Sequence, residues 1–161
     1  MMYSKSCAYA MRGMAWLALV CPEGYVPVHD LCAGSDMPHY FVTKVFETLV
    51  RNGLLTSSKG LGGGFALTRA PAKIALLEIV AAIDGTDSLE ARACMGGMAR
   101  CDPKQACPVH DHWQPLRQEL RGFLARTTLA DMSQSLRTKI EGAGAKVPKP
   151  KSPYKALRLN G

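Results

Sequence analysis

Three cysteines and a histidine in the middle of the chain have the residue types and spacing of a metal site. Cys94 is followed after six residues by Cys101, after five more by Cys107 and after two more by His110. Three thiolates and an imidazole can complete a four-ligand set for soft iron or zinc. The wide intervals differ from the paired C-x-x-C spacing of structural zinc and leave room for a loop around something larger than one ion. A zinc site or three free thiols remain compatible with the same pattern.

The surroundings of these cysteines favour metal or redox chemistry over disulfides. The first residues lack the charged-then-apolar order of a secretory signal, and no apolar run reaches the roughly 18 residues of a membrane span. We therefore expect a cytoplasmic protein with no membrane partner, in which clustered cysteines are not a disulfide framework. Three other cysteines lie among apolar residues and are predicted to be small buried hydrophobes: Cys7, Cys21 and Cys32. His112 competes with His110 as a ligand, although a solvated position at a helix start suits it better.

A helical segment follows the cysteines. An apolar stripe of Trp113, Leu116, Leu120, Phe123 and Leu124 predicts an amphipathic helix, with Pro115 in its first turn. This helix has too much apolar surface to stand alone, and we expect it to pair with its twin in a homodimer. Thr128, with Asp131 three positions later, predicts the cap of a further helix that ends near Ile140.

The segment before the cysteines predicts the two helices of a helix-turn-helix. After a first helix over Tyr3–Val20, a short helix over Val28–Ala33 is followed by a turn and a helix of roughly fifteen residues. Pro38 suits the first turn of that helix and Gly53 its left-handed end. Its apolar stripe is Val42, Val45, Phe46, Leu49 and Val50, and its opposite face carries Tyr40, Thr43, Lys44, Glu47 and Arg51. Hydroxyls and charges on one face can contact base edges and phosphates.

A glycine-rich hairpin follows this helix. The runs Leu54–Lys59 and Phe65–Arg69 are predicted strands, and the Gly-Leu-Gly-Gly-Gly loop between them predicts a flexible tip that could approach phosphates. A nucleotide-binding loop would need Gly-Lys-Ser/Thr running into a helix, whereas this loop returns to a strand. We interpret the hairpin as the wing of a winged DNA-binding domain, with an ordinary hairpin turn as the alternative. A further helix over Ile74–Ile83, ended by Asp84 and Gly85, completes that domain.

Charge supports this interpretation without deciding it. The net charge is +7, but the last seventeen residues hold five basic residues and no acid, so that the body of the chain carries +2. Within residues 38–69 four basic residues oppose Glu47 alone, which gives a local +3. The predicted organisation is a winged helix-turn-helix domain over 1–86, a cysteine-rich loop over 87–111, dimerisation helices over 112–142 and a disordered basic tail over 143–161.

The combination of these motifs resembles the Rrf2 family of bacterial winged-helix regulators. The wing SSKGLGGGFALTR, the helix IALLEIVAAIDG, three spaced cysteines and the segment HWQPLRQELRGFLARTTLADM carry the resemblance from Met2 to about Ile140. The resemblance implies a homodimer on promoter DNA and an iron–sulfur cluster held by Cys94, Cys101 and Cys107. The fourth ligand varies in the family. In some members it is a histidine three residues after the last cysteine, which corresponds to His110. In others it is an acidic residue on the first helix of the partner subunit, and that position is Ala8 here, beside Cys7.

Departures from the family pattern affect the cluster and the wing. The first cysteine interval is one residue longer than in the best-known members, which leaves both 2Fe–2S and 4Fe–4S clusters open. Leu61 stands where a wing proline is common, and Lys59 and Phe65 replace an arginine and a tyrosine. We expect these changes to retune DNA contacts.

The resulting hypothesis is a dimeric regulator, most simply a repressor, whose operator binding depends on a cluster that senses iron–sulfur status, redox state or nitric oxide. The alternative is a cluster-free regulator of the same family, constitutive or switched by thiol oxidation. An enzyme with a small-molecule substrate is not expected, because no C-x-x-C pair and no spaced nucleophile and base are present. The residues that we predict to contact DNA are His39, Tyr40, Thr43, Lys44, Thr48, Arg51, Lys59, Gly62, Gly63 and Arg69.

Overall fold

The computed structural model describes residues 3–33, 37–86, 96, 102, 104 and 107–147. Within them the fold is mainly helical with one antiparallel hairpin, as the sequence predicted. The helices are α1 (Lys5–Val20), α2 (Val28–Cys32), α3 (His39–Arg51), α4 (Leu76–Asp84), α5 (His110–Arg126) and α6 (Leu129–Gly142), and the strands are β1 (Leu55–Ser58) and β2 (Gly64–Leu67). A 3-10 turn at Pro71–Lys73 precedes α4. No helix in the described part of the chain is long and apolar enough to span a membrane.

Helix α1 is the centre of the core and packs against α3, α4 and α6. The Ser4 hydroxyl caps it by accepting the Cys7 N–H at 3.1 Å, and the Ser4 side chain also donates to the Asp84 carboxylate at the end of α4. Gly13 allows α1 to approach α3 closely, since a Cβ there would lie 2.7 Å from the Phe46 ring. The first helix is therefore fastened at its start to α4 and along its middle to α3.

Helix α3 has most of the predicted apolar stripe, because Val42, Val45, Phe46 and Leu49 are buried and Val50 is half-buried. It is two residues shorter than predicted. Pro38 is the residue before the helix and has extended backbone (ψ 120°), so it caps the helix rather than lying in its first turn. Gly53 has a φ of +73° and ends the helix region in the left-handed conformation, as predicted.

The hairpin is shorter than predicted and is joined to a third segment. Its register runs from Leu55 opposite Leu67 to Ser58 opposite Gly64. The segment before α2 adds to it, since the Val26 N–H donates to the Phe65 carbonyl at 2.9 Å and the Phe65 N–H donates back at 3.0 Å. The Phe65 ring also packs edge-on against Phe46 of α3, with centroids 5.3 Å apart. The hairpin is thus fixed to the helices by both backbone and side chains.

Helix α5 begins three residues earlier than the predicted start at Trp113. The Trp113 N–H donates to the Val109 carbonyl at 2.9 Å, which places the first helical residue at His110. The prediction that Pro115 lies in the first turn was therefore wrong: it is inside the helix, which forgoes the hydrogen bond that its N–H would have made to Asp111.

The connection from α5 to α6 is tied to the rest of the same chain. The Leu76 N–H donates to the Thr127 carbonyl at 3.0 Å and the Leu129 N–H donates to the Ile74 carbonyl at 2.8 Å. The predicted cap of α6 is confirmed, with Asp131 accepting the Thr128 N–H at 2.8 Å and Thr128 accepting in return. Helix α6 then packs on α1, so the predicted dimerisation segment also builds the core of its own protomer. Residues 143–147 contain no helix or strand, and the rest of the predicted tail lies outside the described residues.

Candidate DNA interface and metal ligands

Helix α3 exposes the polar face that the sequence predicted. His39, Tyr40, Lys44 and Arg51 are exposed, and Tyr40 retains 69% of its accessible surface. The Lys44 ammonium lies 4.6 Å from the centre of the Tyr40 ring, within range of a cation–π contact. A side-chain hydrogen bond with Tyr40 is the main cause that raises the pKa of Lys44. This face therefore carries an aromatic ring with a positive charge over it.

The two threonines on this face use their hydroxyl protons within the helix. Thr43 donates to the His39 carbonyl at 3.0 Å, and Thr48 donates to the Lys44 carbonyl at 3.2 Å. Thr48 also accepts from the Arg51 guanidinium at 2.8 Å, which aims that side chain along the helix. Because its proton is engaged, the Thr43 hydroxyl offers acceptor lone pairs to a base amino group.

The wing requires glycine at two positions for different structural reasons. Gly62 has a φ of +72°, which favours glycine in the turn. Gly63 is buried, and a Cβ there would lie 2.3 Å from the Ser58 carbonyl oxygen, so the hairpin itself requires glycine at this position. Lys59, just beyond β1, is exposed and available to a phosphate. Close approach to DNA is therefore not needed to explain Gly63.

Arg69 is directed towards α4. Its guanidinium forms an ion pair with Glu78 at 2.5 Å and donates to the Lys73 carbonyl at 3.1 Å, while Glu78 also accepts the Ala75 N–H at 3.0 Å. Burial alone raises the pKa of Glu78, but the hydrogen bonds from Arg69 and Ala75 and the arginine charge together lower it. These contacts give Arg69 a structural role in joining the end of the wing to the start of α4.

Of the four predicted metal ligands, Cys107 and His110 lie in the described residues, whereas Cys94 and Cys101 lie outside them. The His110 N–H donates to the Cys107 carbonyl at 3.3 Å, so one turn brings the two residues together at the start of α5. Cys107 is half-buried and His110 is 8% exposed. No group of three or more potential metal ligands occurs within the described ranges. His112 is exposed, in keeping with a solvated position near the helix start.

Cys7 is poorly placed to serve a metal in a partner subunit. It has no exposed surface, and burial, helped by the nearby Asp84 carboxylate, raises the pKa of its thiol to about 12. Metal ligation requires the thiolate, which such a site disfavours. The structure therefore favours Cys7 as a core residue.

The sequence analysis did not single out Asn52, which links the end of α3 to α4. Its side-chain amide donates to the Thr48 carbonyl at 2.9 Å and to the Ala82 carbonyl at 3.3 Å. An asparagine directly before a helix-ending glycine is common, and no sequence signal identifies a carbonyl thirty residues away as its partner. Asn52 thus positions the end of α3 against the last turn of α4.

A short helix, a polar-faced second helix and a hairpin fixed to the helices define a winged helix-turn-helix, the fold of a class of DNA-binding regulators. The family model described as Rrf2, iron-dependent transcriptional regulator, matches residues 3–135. The chain belongs to the Rrf2 family. It is a transcriptional regulator rather than an enzyme, and the coarse identification made from the sequence is confirmed.

Named relatives agree with this assignment. The chain is 32% identical over 124 residues to the HTH-type transcriptional regulator IscR of Serratia proteamaculans, covering 77% of this chain and 74% of that protein, with the same values for IscR of Klebsiella pneumoniae strain 342. Among solved structures, CymR, the global cysteine regulator of B. subtilis, has a TM-score of 0.66 at 20% identity, covering 82% of this chain and 95% of that one. The T. potens IscR structure has the same score and identity, with coverage of 84% and 88%. The structural likenesses support the fold.

Proposed function

We propose that the protein is a homodimeric cytoplasmic repressor that binds promoter DNA through α3 and the wing, with an affinity set by an iron–sulfur cluster. The observation that carries the proposal is the turn joining Cys107 to His110 at the start of α5, in a family whose model is described as iron-dependent. The relatives named IscR, at 32% identity, support it.

The DNA-binding part of the proposal rests on the exposed face of α3. Tyr40 and Thr43 would read base edges, since they lie in the first half of a helix whose opposite face is buried. Lys44 and Arg51 are exposed cations on the same face and suit phosphates. His39 and Thr48 flank these residues, and Lys59 extends the positive charge to the wing.

The dimer part rests on apolar surface of α5 that the described residues leave exposed. Leu116 and Phe123 on α5 are 57% and 51% exposed. Phe123 borders a groove of about 870 Å³ between α1, α5 and α6, whose walls include Trp16 and Leu136. Exposed apolar side chains beside an apolar groove favour a self-complementary contact with a second copy. A dimer would also supply the two recognition helices that a two-fold symmetric operator needs.

The donor set fits an iron–sulfur cluster, of either the 2Fe–2S or the 4Fe–4S type. Cys94, Cys101 and Cys107 would supply thiolates, and His110 would supply a largely buried imidazole. Such a cluster, when bound, supplies a group whose stability depends on iron supply, oxidants and nitric oxide. His110 is the first residue of α5, so loss of the cluster would directly affect the start of the proposed dimer helix.

The end of α4 offers a second route between the ligand segment and the recognition helix. Gly85 directly follows α4 and leads towards the cysteines. The last turn of α4 is held by Asn52, which follows α3, and through Asp84 by Ser4, which precedes α1. A conformational change beyond Gly85, on gain or loss of the cluster, would therefore act on residues that position α3.

The first test is iron and acid-labile sulfide per protomer, with a visible spectrum, on protein purified without oxygen. We expect near-stoichiometric iron and sulfide and a brown chromophore, and the ratio separates the two cluster types. Cys107→Ser should abolish the bound iron and sulfide and the chromophore. The matched control Cys21→Ser, at a half-buried cysteine at the end of α1, should retain them. Colourless protein that also resists reconstitution would exclude the cluster.

A second candidate is a cluster-free regulator switched by oxidation of Cys107, which is partly exposed at the entrance to α5. It predicts that peroxide changes the DNA affinity of iron-free protein and that Cys107→Ser removes the response. A constitutive regulator would show neither effect.

A further inference from the structure

The tip of the wing carries a single side chain. The Gly63 N–H donates to the Gly60 carbonyl at 3.0 Å and closes a tight turn with Leu61 and Gly62 at its two central positions. Gly60 and Gly62 have φ values of +86° and +72°, so the turn depends on glycine on both sides of Leu61. Leu61 itself is fully exposed. The tip is consequently a narrow backbone ribbon with one apolar side chain at its end.

The base of the wing holds this tip in a fixed place. A Cβ on Gly64 would lie 2.3 Å from the Val26 carbonyl oxygen, so β2 approaches the Val26 backbone as closely as glycine allows. The paired hydrogen bonds between Val26 and Phe65 and the packing of Phe65 on Phe46 fasten the hairpin to the helices. The fold therefore accounts for Gly63 and Gly64, but no contact within the described chain accounts for Leu61.

We propose that Leu61 is a specificity-determining residue that enters the minor groove of the operator and packs against a base step. The inference rests on the proposed DNA-binding function and assigns its wing a reading role. The minor groove is only about 6 Å wide, and a ribbon whose other tip residues are glycines fits such a groove. Exposed Lys59 lies two residues before Leu61, where it can hold the wing on the flanking phosphates.

The chemistry of leucine defines what the wing reads. An apolar side chain makes no hydrogen bond to a base edge. Its contribution to binding is favourable because it leaves water and packs into a partly unstacked base step. Pyrimidine–purine steps, TA above all, open most easily. Leu61 should therefore favour operators with such a step at the position that faces the wing, separate from the major-groove bases read by α3.

The test uses the full-length protein and duplexes enriched from a randomised 40-base-pair library. Affinities of wild type, Leu61→Ala, Leu61→Met and Lys59→Ala are measured by fluorescence anisotropy at several salt concentrations. Leu61→Ala should bind the enriched duplex about tenfold more weakly, as expected for losing most of a buried leucine side chain, with an unchanged salt slope. Leu61→Met should largely restore affinity. Lys59→Ala should instead lower the salt slope by about 0.9.

The library sequences give the second measurement. The sequences enriched by Leu61→Ala should lose the pyrimidine–purine step while they keep the bases read by α3. If wild type enriches a sequence and Leu61→Ala has the same affinity and preference, the inference falls while the proposed function stands, and Leu61 is left as a contact for another protein. A uniform loss on every duplex would likewise overturn a reading role. If wild type enriches no sequence, the proposed function fails and the inference with it.

Discussion

The wing side of the molecule and the α5 side differ in how far the described residues satisfy polar groups and cover apolar ones. On the wing side, Arg69 is paired with Glu78, Val26 with Phe65, and Arg51 with Thr48. On the α5 side, Leu116 and Phe123 remain exposed, and Phe123 lies beside an apolar groove. A surface that is already organised can meet rigid DNA without rearrangement, whereas an uncovered apolar surface favours a second copy. In the proposed dimer, one protomer would already provide a complete DNA-reading surface, whereas its apolar α5 face would be covered only by the second protomer.

The largest effect on operator affinity is expected from disrupting the proposed dimer contact on the exposed face of α5. Phe123→Asp places a charge on the exposed apolar face of α5 and should convert a dimer to monomers. Losing the linked second half-site should weaken operator binding by at least about 100-fold. Sedimentation measures the assembly and fluorescence anisotropy the affinity.

Gln118→Asp is the matched control, because it adds the same charge at an exposed polar position of the same helix. It should leave both assembly and affinity nearly unchanged. A wild-type protein that sediments as a monomer, or a Phe123→Asp protein that still dimerises, would remove the contrast between the two sides.

The wing side is tested by Gly64→Ala. A Cβ at Gly64 meets the Val26 backbone, and the φ of +142° is unfavourable for alanine, so we expect a loss of about 2 to 4 kcal/mol in the free energy of unfolding. Gly53→Ala is the comparison, since its Cβ would meet nothing within 4 Å and only the φ of +73° opposes it, for about 1 kcal/mol. Urea denaturation gives both values. Equal losses would show that the wing is not pinned at Val26.

Salt dependence separates cations that face DNA from one that holds the fold. Lys44→Ala and Arg51→Ala should each lower the slope of log affinity against log salt by about 0.9. Arg69→Ala should lower stability and leave that slope unchanged, because its guanidinium is engaged by Glu78 and Lys73. A reduced slope for Arg69→Ala would instead support the phosphate contact that the sequence analysis predicted.

The sequence predicted what depends on local pattern. The stripe of α3, the left-handed Gly53 and the Thr128–Asp131 cap follow from spacing within a few residues, and the structure has all three. Contacts between distant segments leave no such pattern. Nothing local connects Val26 to Phe65, or Asn52 to Ala82, and these pairs fix the wing and α3.

The same limit applied to the predicted site. Arg69 was assigned to DNA from its charge and position, whereas its partner Glu78 lies in the next helix. Pro115 was placed in a first turn because apolar periodicity begins at Trp113, but the helix begins earlier with polar residues. Apolar periodicity detects an apolar face, and it misses a first turn made of polar residues even where one of them, His110, is buried.

The smallest effect concerns the carboxylate that holds the wing to α4. The pKa of Glu78 is lowered in the folded protein from the ordinary value of 4.5, so its ionised form stabilises the fold above that pH. This contribution should fade as the pH falls below about 4.5, towards the lowered value. Urea denaturation between pH 3 and pH 6 should show a steeper loss of stability for wild type than for Glu78→Gln.

Glu141→Gln, at an exposed position in the last turn of α6, is the matched control and should follow the wild-type pH dependence. The Glu78→Gln protein should also be less stable than wild type at neutral pH, because the amide carries no charge to pair with Arg69. The two curves should then converge as the pH falls. Parallel curves for wild type and Glu78→Gln would show that the ion pair does not stabilise the wing. The wing would then be held by the backbone pair of Val26 and Phe65 and by the packing of Phe65 on Phe46, and Gly64→Ala probes the backbone pair separately.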